Sequence, residues 1–138
     1  MSVWNMKVGD VARKDVVTIS PDRSIKEAAS YMYSNGIGSV VVVSPEGVVI
    51  GIFTERDLSR VVSQGVPYDT PVGNVMTRSP VTIKASEPLS KAIELMNEKN
   101  IRHLPVVDES GRVVGIITTR DVTAITEKYL LSTGYYGE

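Results

Sequence analysis

Residues 51–57 read Gly51-Ile52-Phe53-Thr54-Glu55-Arg56-Asp57, and residues 115–121 repeat the pattern as Gly115-Ile116-Ile117-Thr118-Thr119-Arg120-Asp121. In both stretches an apolar, largely β-branched run ends at a threonine, a residue that often caps the start of a helix. A shift of 64 residues aligns residues 8–58 with residues 72–122, and 18 of these 51 pairs are identical. The sequence therefore contains a duplicated unit.

Each copy predicts the same order of secondary structure. In the first copy, β-branched runs typical of strands lie at residues 17–19, 39–43 and 48–53. Ser24 and Glu27 have the spacing of a capping box and predict a helix that ends at Asn35-Gly36. A second helix is predicted to begin at Thr54. Each unit therefore reads β-α-β-β-α, and the last helix of the second unit is expected from Thr118 to about Tyr129.

The chain divides into a first repeat at residues 8–64, a second repeat at residues 72–129 and a tail at residues 130–138. A unit of about 60 residues is marginal on its own. The connection Gly65–Pro71 is short and contains two prolines, so it is too stiff to separate the units. We therefore expect an α/β fold of the α+β kind, with two repeats packed directly about a pseudo-two-fold axis.

Composition excludes several classes of function. Fifteen lysines and arginines against sixteen acidic residues give a formal charge of −1, which argues against nucleic acid as a partner. The absence of cysteine and the single histidine exclude a thiolate metal site or a zinc cluster. The apolar runs are far shorter than the ~20 residues that span a bilayer, and the N-terminus lacks a signal-peptide pattern. We expect a cytoplasmic chain with no membrane partner.

The duplicated strand-to-helix junction has the chemistry of a nucleotide site; the first junction is residues 51–57 and the second is residues 115–121. A threonine at a helix N-terminus lies where free N–H groups and the helix dipole favour an anion. The aspartate three residues later, Asp57 or Asp121, lies on the same helix face and could accept hydrogen bonds from the vicinal hydroxyls of a ribose. The alternative is that Thr54 and Asp57 are an ordinary N-cap and first-turn acid. Repetition of the pattern at the same offset favours the nucleotide interpretation.

The chain resembles a tandem pair of CBS (cystathionine-β-synthase) domains over residues 8 to about 129. The resemblance is carried by the two junctions, the two Val-Thr-Ile strands, Ile37–Val43 and Ile101–Asp108. It implies a stand-alone regulatory module that binds AMP, ADP, ATP or S-adenosylmethionine between the repeats, with no catalytic cofactor. A ligand-free interaction scaffold is the alternative. No Gly-x-Ser-x-Gly motif or Walker loop supports an enzyme.

The resemblance also implies roles for particular residues. Asp57 or Asp121 would take the ribose hydroxyls, with Thr54 or Thr118 assisting and Arg56 or Arg120 at the phosphate. The adenine would lie against one of the two first strands, formed by Val17, Thr18 and Ile19 or by Val81, Thr82 and Ile83.

Arg102 and His103 are implied as phosphate partners in the site of Asp57. That site, with Thr18 and Thr54, is therefore expected to bind phosphorylated adenosine more tightly than the site of Asp121. Successive side chains of a strand point to opposite faces, so the sequence leaves open which of the two basic residues faces the cleft.

The resemblance further implies a homodimer formed through the helices, together with a separate effector protein. The predicted helices carry apolar residues at Leu58, Val61, Val62, Val122 and Ile125. We expect some of these side chains to cover more than the core of the chain itself.

Overall fold

Both repeats form a small β-sheet with the same strand order. The computed structural model describes residues 3–133. The first repeat contains α1 (Val8–Val11), β1 (Thr18–Ile19), α2 (Ile25–Asn35), β2 (Ser39–Val43), β3 (Val49–Thr54) and α3 (Glu55–Ser63). The second contains β4 (Thr77–Arg78), β5 (Ile83–Lys84), α4 (Leu89–Lys99), β6 (His103–Val107), β7 (Val113–Thr118) and α5 (Thr119–Thr133). Short 3-10 helices lie at Val3–Asn5 and Val72–Asn74.

The strands pair as the β-α-β-β-α order requires. β1 runs parallel to β2, and β2 is antiparallel to β3. In the second repeat β5 is likewise parallel to β6, which is antiparallel to β7. β4 joins the outer edge of β3, so the first sheet has four strands and the second has three. The predicted α/β architecture with two equivalent repeats is confirmed.

Local sequence explains where α2 and α4 begin and end. The Ser24 side chain accepts a hydrogen bond from the Glu27 N–H, which confirms the predicted capping box. α2 ends at Gly36, whose φ of 61° is left-handed. α4 begins after Pro88 without a side-chain cap and ends at Asn100, which is also left-handed, with a φ of 53°.

The segment before the first strand of each repeat packs on the other repeat. Val8 donates its N–H to the Glu87 carbonyl at 2.8 Å, and 64 residues later Val72 donates to the Arg23 carbonyl at 2.6 Å. Val8 is buried in the hydrophobic cluster that contains Leu89 of α4. Val72 is buried in the equivalent cluster beneath α2. Neither repeat therefore has a complete core without residues that precede the first strand of its neighbour.

A pair of reciprocal hydrogen bonds marks the pseudo-two-fold axis. The Val49 N–H donates to the Gly111 carbonyl at 3.0 Å, and the Val113 N–H donates to the Gly47 carbonyl at 3.1 Å. Val48 and Arg112, which occupy equivalent positions in the two repeats, form the β-bridge between them. The repeats therefore meet directly, as the short connection predicts.

The helical apolar residues offered as a reason for dimerisation differ in how far their own repeats cover them. Val61 is fully buried in the core of the first repeat. Leu58, Val122 and Ile125 pack partly against the cores of their own repeats. Only Val62, with 50% exposure, remains largely uncovered. Own-core packing therefore accounts for most of this apolar surface.

The C-terminal helix is longer than predicted. α5 continues to Thr133, so the first four residues of the predicted tail are helical, and residues 134–138 lie outside the described residues. No helix between residues 3 and 133 combines the length and apolar composition needed to cross a bilayer.

Candidate functional site

The path of the chain decides which segments meet at each junction. Arg13 forms a β-bridge with Ile116, and its Nε lies 3.3 Å from Oδ1 of Asp121. In the equivalent position, Thr77 pairs with Ile52 and donates its hydroxyl to Oδ1 of Asp57 at 3.0 Å. Each junction therefore faces the segment that precedes the first strand of the other repeat.

A cavity of about 790 Å³ opens between the two repeats, on the side of the second junction. This volume lies within the usual range for small-molecule sites, about 300–1,000 Å³. Four parts of the chain line the cavity: Arg13 with residues 15–17, the end of α2 with residues 35–39, the start of α3, and residues 102–103 together with Ile116 and residues 118–120. The cavity is therefore built from both repeats.

Five of the predicted ligand-binding residues line this cavity: Val17, Arg102, His103, Thr118 and Arg120. Asp121 is not among the lining residues, but it is bonded to Thr118 and Arg13, which both line the cavity. Arg13, Val16, Ile37 and Glu55 also line the cavity and were missed by the sequence analysis.

The other predicted residues lie elsewhere. Thr54 and Asp57 bond to each other and, through Asp57, to Thr77. Arg56 donates to the Asn100 carbonyl at 3.4 Å. The side chain of Ile19 is buried in the first core and that of Ile83 in the second. Thr18 is exposed, whereas Val81 and Thr82 are half-buried, and none of the three lines the cavity.

The sequence groups Thr18 and the basic pair with Asp57, whereas the structure places the basic pair in the cavity beside the second junction. The strand register places His103 directly opposite Thr118 of its own repeat, next to the second junction. Arg102 and His103 therefore line the cavity that also contains Thr118 and Arg120. Arg102 precedes β6, so strict strand alternation does not apply to the pair and both residues reach the cavity.

The two aspartates differ in how much of their hydrogen-bonding capacity is used. In both, Oδ2 accepts the backbone N–H of the junction threonine at 2.9 Å. Oδ1 of Asp57 accepts hydrogen bonds from Thr77 at 3.0 Å and from Arg60 at 3.4 Å. Oδ1 of Asp121 is bonded to Arg13, whose side chain is 47% exposed. Displacing one exposed side chain would therefore free the Asp121 oxygen for a ligand.

Packing at the junction glycines also differs between the two repeats. A Cβ at Gly51 would overlap the Met76 side chain, which fills the space beside the first junction. The equivalent residue at the second junction is Ala12, whose Cβ lies 3.4 Å from the position of a Cβ at Gly115. The smaller Ala12 side chain therefore fills less space beside the second junction than Met76 fills beside the first.

The cavity has an unpaired basic end. Arg102 and Arg120 form no ion pair with any residue between 3 and 133. Nδ1 of His103 is buried and has no hydrogen-bond partner within that range. Because a buried polar atom without a partner is costly, an anion or hydroxyl placed here would gain a ready partner. Three basic side chains are thus available to a ligand.

Burial holds the pKa of His103 below its ordinary value, an effect opposed by Glu55, reinforced by Arg102 and opposed again by Asp121. The unfolded chain therefore binds a proton at His103 at pH values where the folded chain does not. The free energy of unfolding is consequently highest above a pH of about 6.5 and falls as the pH decreases below that value.

We expect urea unfolding of the ligand-free protein to show this loss of stability between pH values of about 7.5 and 5.5. His103→Asn should flatten the dependence, and an unchanged slope would contradict this assignment.

Comparison with known proteins points to one family. A family model described as the CBS domain matches the chain twice, at residues 8–64 and 72–127. An uncharacterized protein of Methanopyrus kandleri is 42% identical over 131 residues, which cover 94% of this chain and 66% of that protein. The chain spans only 24% and 23% of the homoserine O-acetyltransferases from Methanohalobium evestigatum and Methanosalsum zhilinae, which it matches at 34% and 36% identity.

Solved structures agree with the family match. A CBS domain pair in complex with 5′-methylthioadenosine and S-adenosyl-L-methionine superposes with a TM-score of 0.83 at 30% identity, covering 89% of this chain and 97% of that one. A CBS domain protein of Pyrobaculum aerophilum in complex with AMP gives a TM-score of 0.81 at 27% identity, covering 88% and 96%. The chain belongs to the CBS domain family and consists of a pair of CBS domains.

Proposed function

We propose that this CBS pair is a regulatory module that binds AMP, or a closely similar adenine nucleotide, in the cavity beside Asp121. The observation that carries the proposal is the arrangement of that carboxylate. One of its oxygens has a single exposed, replaceable partner, Arg13, and three basic side chains without ion-pair partners in the described chain lie in the same cavity. The carboxylate suits the ribose hydroxyls, and the basic side chains beside it suit the phosphate.

Each part of the nucleotide has a chemically suitable wall. The ribose hydroxyls would donate to Asp121 in place of Arg13, next to the Thr118 hydroxyl. The phosphate would accept from Arg102, Arg120 and His103, because hydrogen bonds to charged groups are stronger than neutral ones. Val16, Val17 and Ile37 supply apolar surface for the base.

Charge favours a phosphorylated ligand over S-adenosylmethionine. The structural relatives named above include complexes with both kinds of ligand. S-adenosylmethionine carries a positive sulfonium centre, which would approach the arginines of this cavity. AMP carries a negative phosphate that complements them. The basic end of the cavity therefore supports AMP as the ligand.

Calorimetric titration of the purified protein with AMP, adenosine and S-adenosylmethionine tests the proposal. We expect one AMP to bind per chain, because the carboxylate of Asp57 is already occupied by Thr77 and Arg60. Adenosine should bind about ten- to a hundredfold more weakly than AMP, since it lacks the group that bonds to the basic end.

Two results of that titration would contradict the proposal. Tighter binding of S-adenosylmethionine than of AMP would mean that the basic end does not select the ligand. No binding of any of the three at millimolar concentration would favour a ligand-free interaction scaffold.

The output of the module is part of the same proposal. A ligand shifts a conformational equilibrium only by its differential affinity for the two states. A bound nucleotide that joins segments of both repeats could change their relative position and so alter contact with a partner protein or a second copy of the chain. Val62, Tyr129 and Leu131, which are 50%, 40% and 56% exposed, offer apolar surface on α3 and α5 for such a contact.

A further inference from the structure

Glu55 places a negative charge at the basic end of the cavity. It is the first residue of α3 and lines the cavity, and its N–H donates to the Gly38 carbonyl at 3.0 Å. A Cβ at Gly38 would overlap Oε1 of Glu55 and lie 3.1 Å from Cε1 of His103. The missing side chain at residue 38 therefore lets the carboxylate and the imidazole approach the same point.

Electrostatics indicate that Glu55 and His103 are close. Among the charged groups that act on the pKa of His103, Glu55 has the largest effect, ahead of Arg102 and Asp121. Glu55 forms no ion pair with any side chain in the described part of the molecule. Within that part of the molecule its carboxylate therefore has no direct cationic partner before a ligand enters.

The duplication provides a built-in comparison. Thr119 occupies the position equivalent to Glu55, and its N–H donates to the Arg102 carbonyl at 3.1 Å, just as Glu55 donates to Gly38. The backbone arrangement is therefore the same in both repeats, and the side-chain charge differs. The first turn of a helix ordinarily attracts an anion, whereas a side-chain carboxylate in that turn repels a second anion nearby. The two repeats thus present different electrostatic surfaces to the seam.

We propose that Glu55 restricts this cavity to nucleotides with a single phosphate group. The inference rests on the proposed function, in which one phosphate is held by Arg102, Arg120 and His103. A second or third phosphate would add negative charge at the end of the cavity where Glu55 lies. Like charges brought together in a binding site disfavour the wrong ligand, so the carboxylate selects against ADP and ATP.

The test compares the affinities of AMP, ADP and ATP by calorimetry in the presence of EDTA, so that no divalent cation screens the phosphates. The wild-type chain should bind AMP more tightly than ADP or ATP. Glu55→Gln and Glu55→Thr, the second of which copies the other repeat, should each improve ADP binding relative to AMP by about five- to tenfold.

Two further variants separate position from net charge. Glu46→Gln removes an acid on the exposed turn between β2 and β3, outside the cavity. Glu109→Gln removes an acid on the equivalent turn between β6 and β7, which is also exposed and outside the cavity. Each should change the ratio of ADP to AMP affinity by less than about twofold, because neither charge lies in the cavity.

The outcomes distinguish this inference from the proposed function. If the wild-type chain binds no AMP, the proposed function fails. If AMP binds but the ratio of ADP to AMP affinity is unchanged in both Glu55 variants, the role of Glu55 is wrong. Tighter binding of ATP than of AMP by the wild-type chain, or an equal shift in Glu46→Gln or Glu109→Gln, would also overturn it.

Discussion

Asp121→Ala is expected to weaken AMP binding by about ten- to a hundredfold, because hydrogen bonds to a charged group contribute about 1.5–3 kcal/mol net. The loss should be equal for adenosine, since the ribose is common to both ligands. The ratio of AMP to adenosine affinity should therefore stay constant. Calorimetric titration of the variant with both ligands measures this ratio.

Asp57→Ala is the matched control for that experiment. Both aspartates accept the N–H and hydroxyl of their junction threonine, so both variants lose the same helix-start bonds. Asp57→Ala also leaves Thr77 and Arg60 without their carboxylate partner and should lower the free energy of unfolding more. Its AMP affinity should change by less than about twofold. A larger loss of AMP affinity in Asp57→Ala than in Asp121→Ala would place the ligand at the other junction.

The architecture of each repeat follows from local signals in the sequence. The capping box at Ser24, the left-handed end at Gly36 and the β-branched run of β2 each determine their element within a few residues. Element boundaries were less accurate, because β3, predicted at residues 48–53, lies at Val49–Thr54. β4 was missed, since its two residues pair only through the neighbouring repeat.

The composition of the site was harder to predict than the fold. The motif residues Thr118, Asp121 and Arg120 could be predicted because they are repeated. Their neighbours could not, because these depend on which repeat the segment before each first strand packs against. No periodicity in the sequence records that Arg13 pairs with Ile116. The alignment of the two repeats at a shift of 64 residues does indicate that the two junctions differ. Ala12 aligns with Met76 and Glu55 with Thr119, so the two junctions could not be identical in size or charge.

Leu89→Ala is expected to lower the free energy of unfolding by about 2–5 kcal/mol, the range for large-to-small changes in a packed core. Leu89 is fully buried and belongs to the cluster that includes Val3 and Val8 from the start of the chain. Because each core contains residues from a segment that precedes the other repeat's first strand, the two repeats should unfold together. Urea unfolding followed by circular dichroism should therefore show one transition with a lower midpoint.

Ile25→Ala tests the same interlocking from the other repeat. Ile25 occupies the equivalent position, is 1% exposed and packs in the cluster with Val72. It should lower the same single transition by a similar amount, about 2–5 kcal/mol, whereas Leu131→Ala at a 56% exposed position should change stability by less than about 0.5 kcal/mol. A biphasic curve in which either core variant leaves half of the signal at the wild-type midpoint would show independent repeats. In that case the cavity would lose part of its lining whenever one repeat unfolds, because Arg13 belongs to the first repeat and Thr118 to the second.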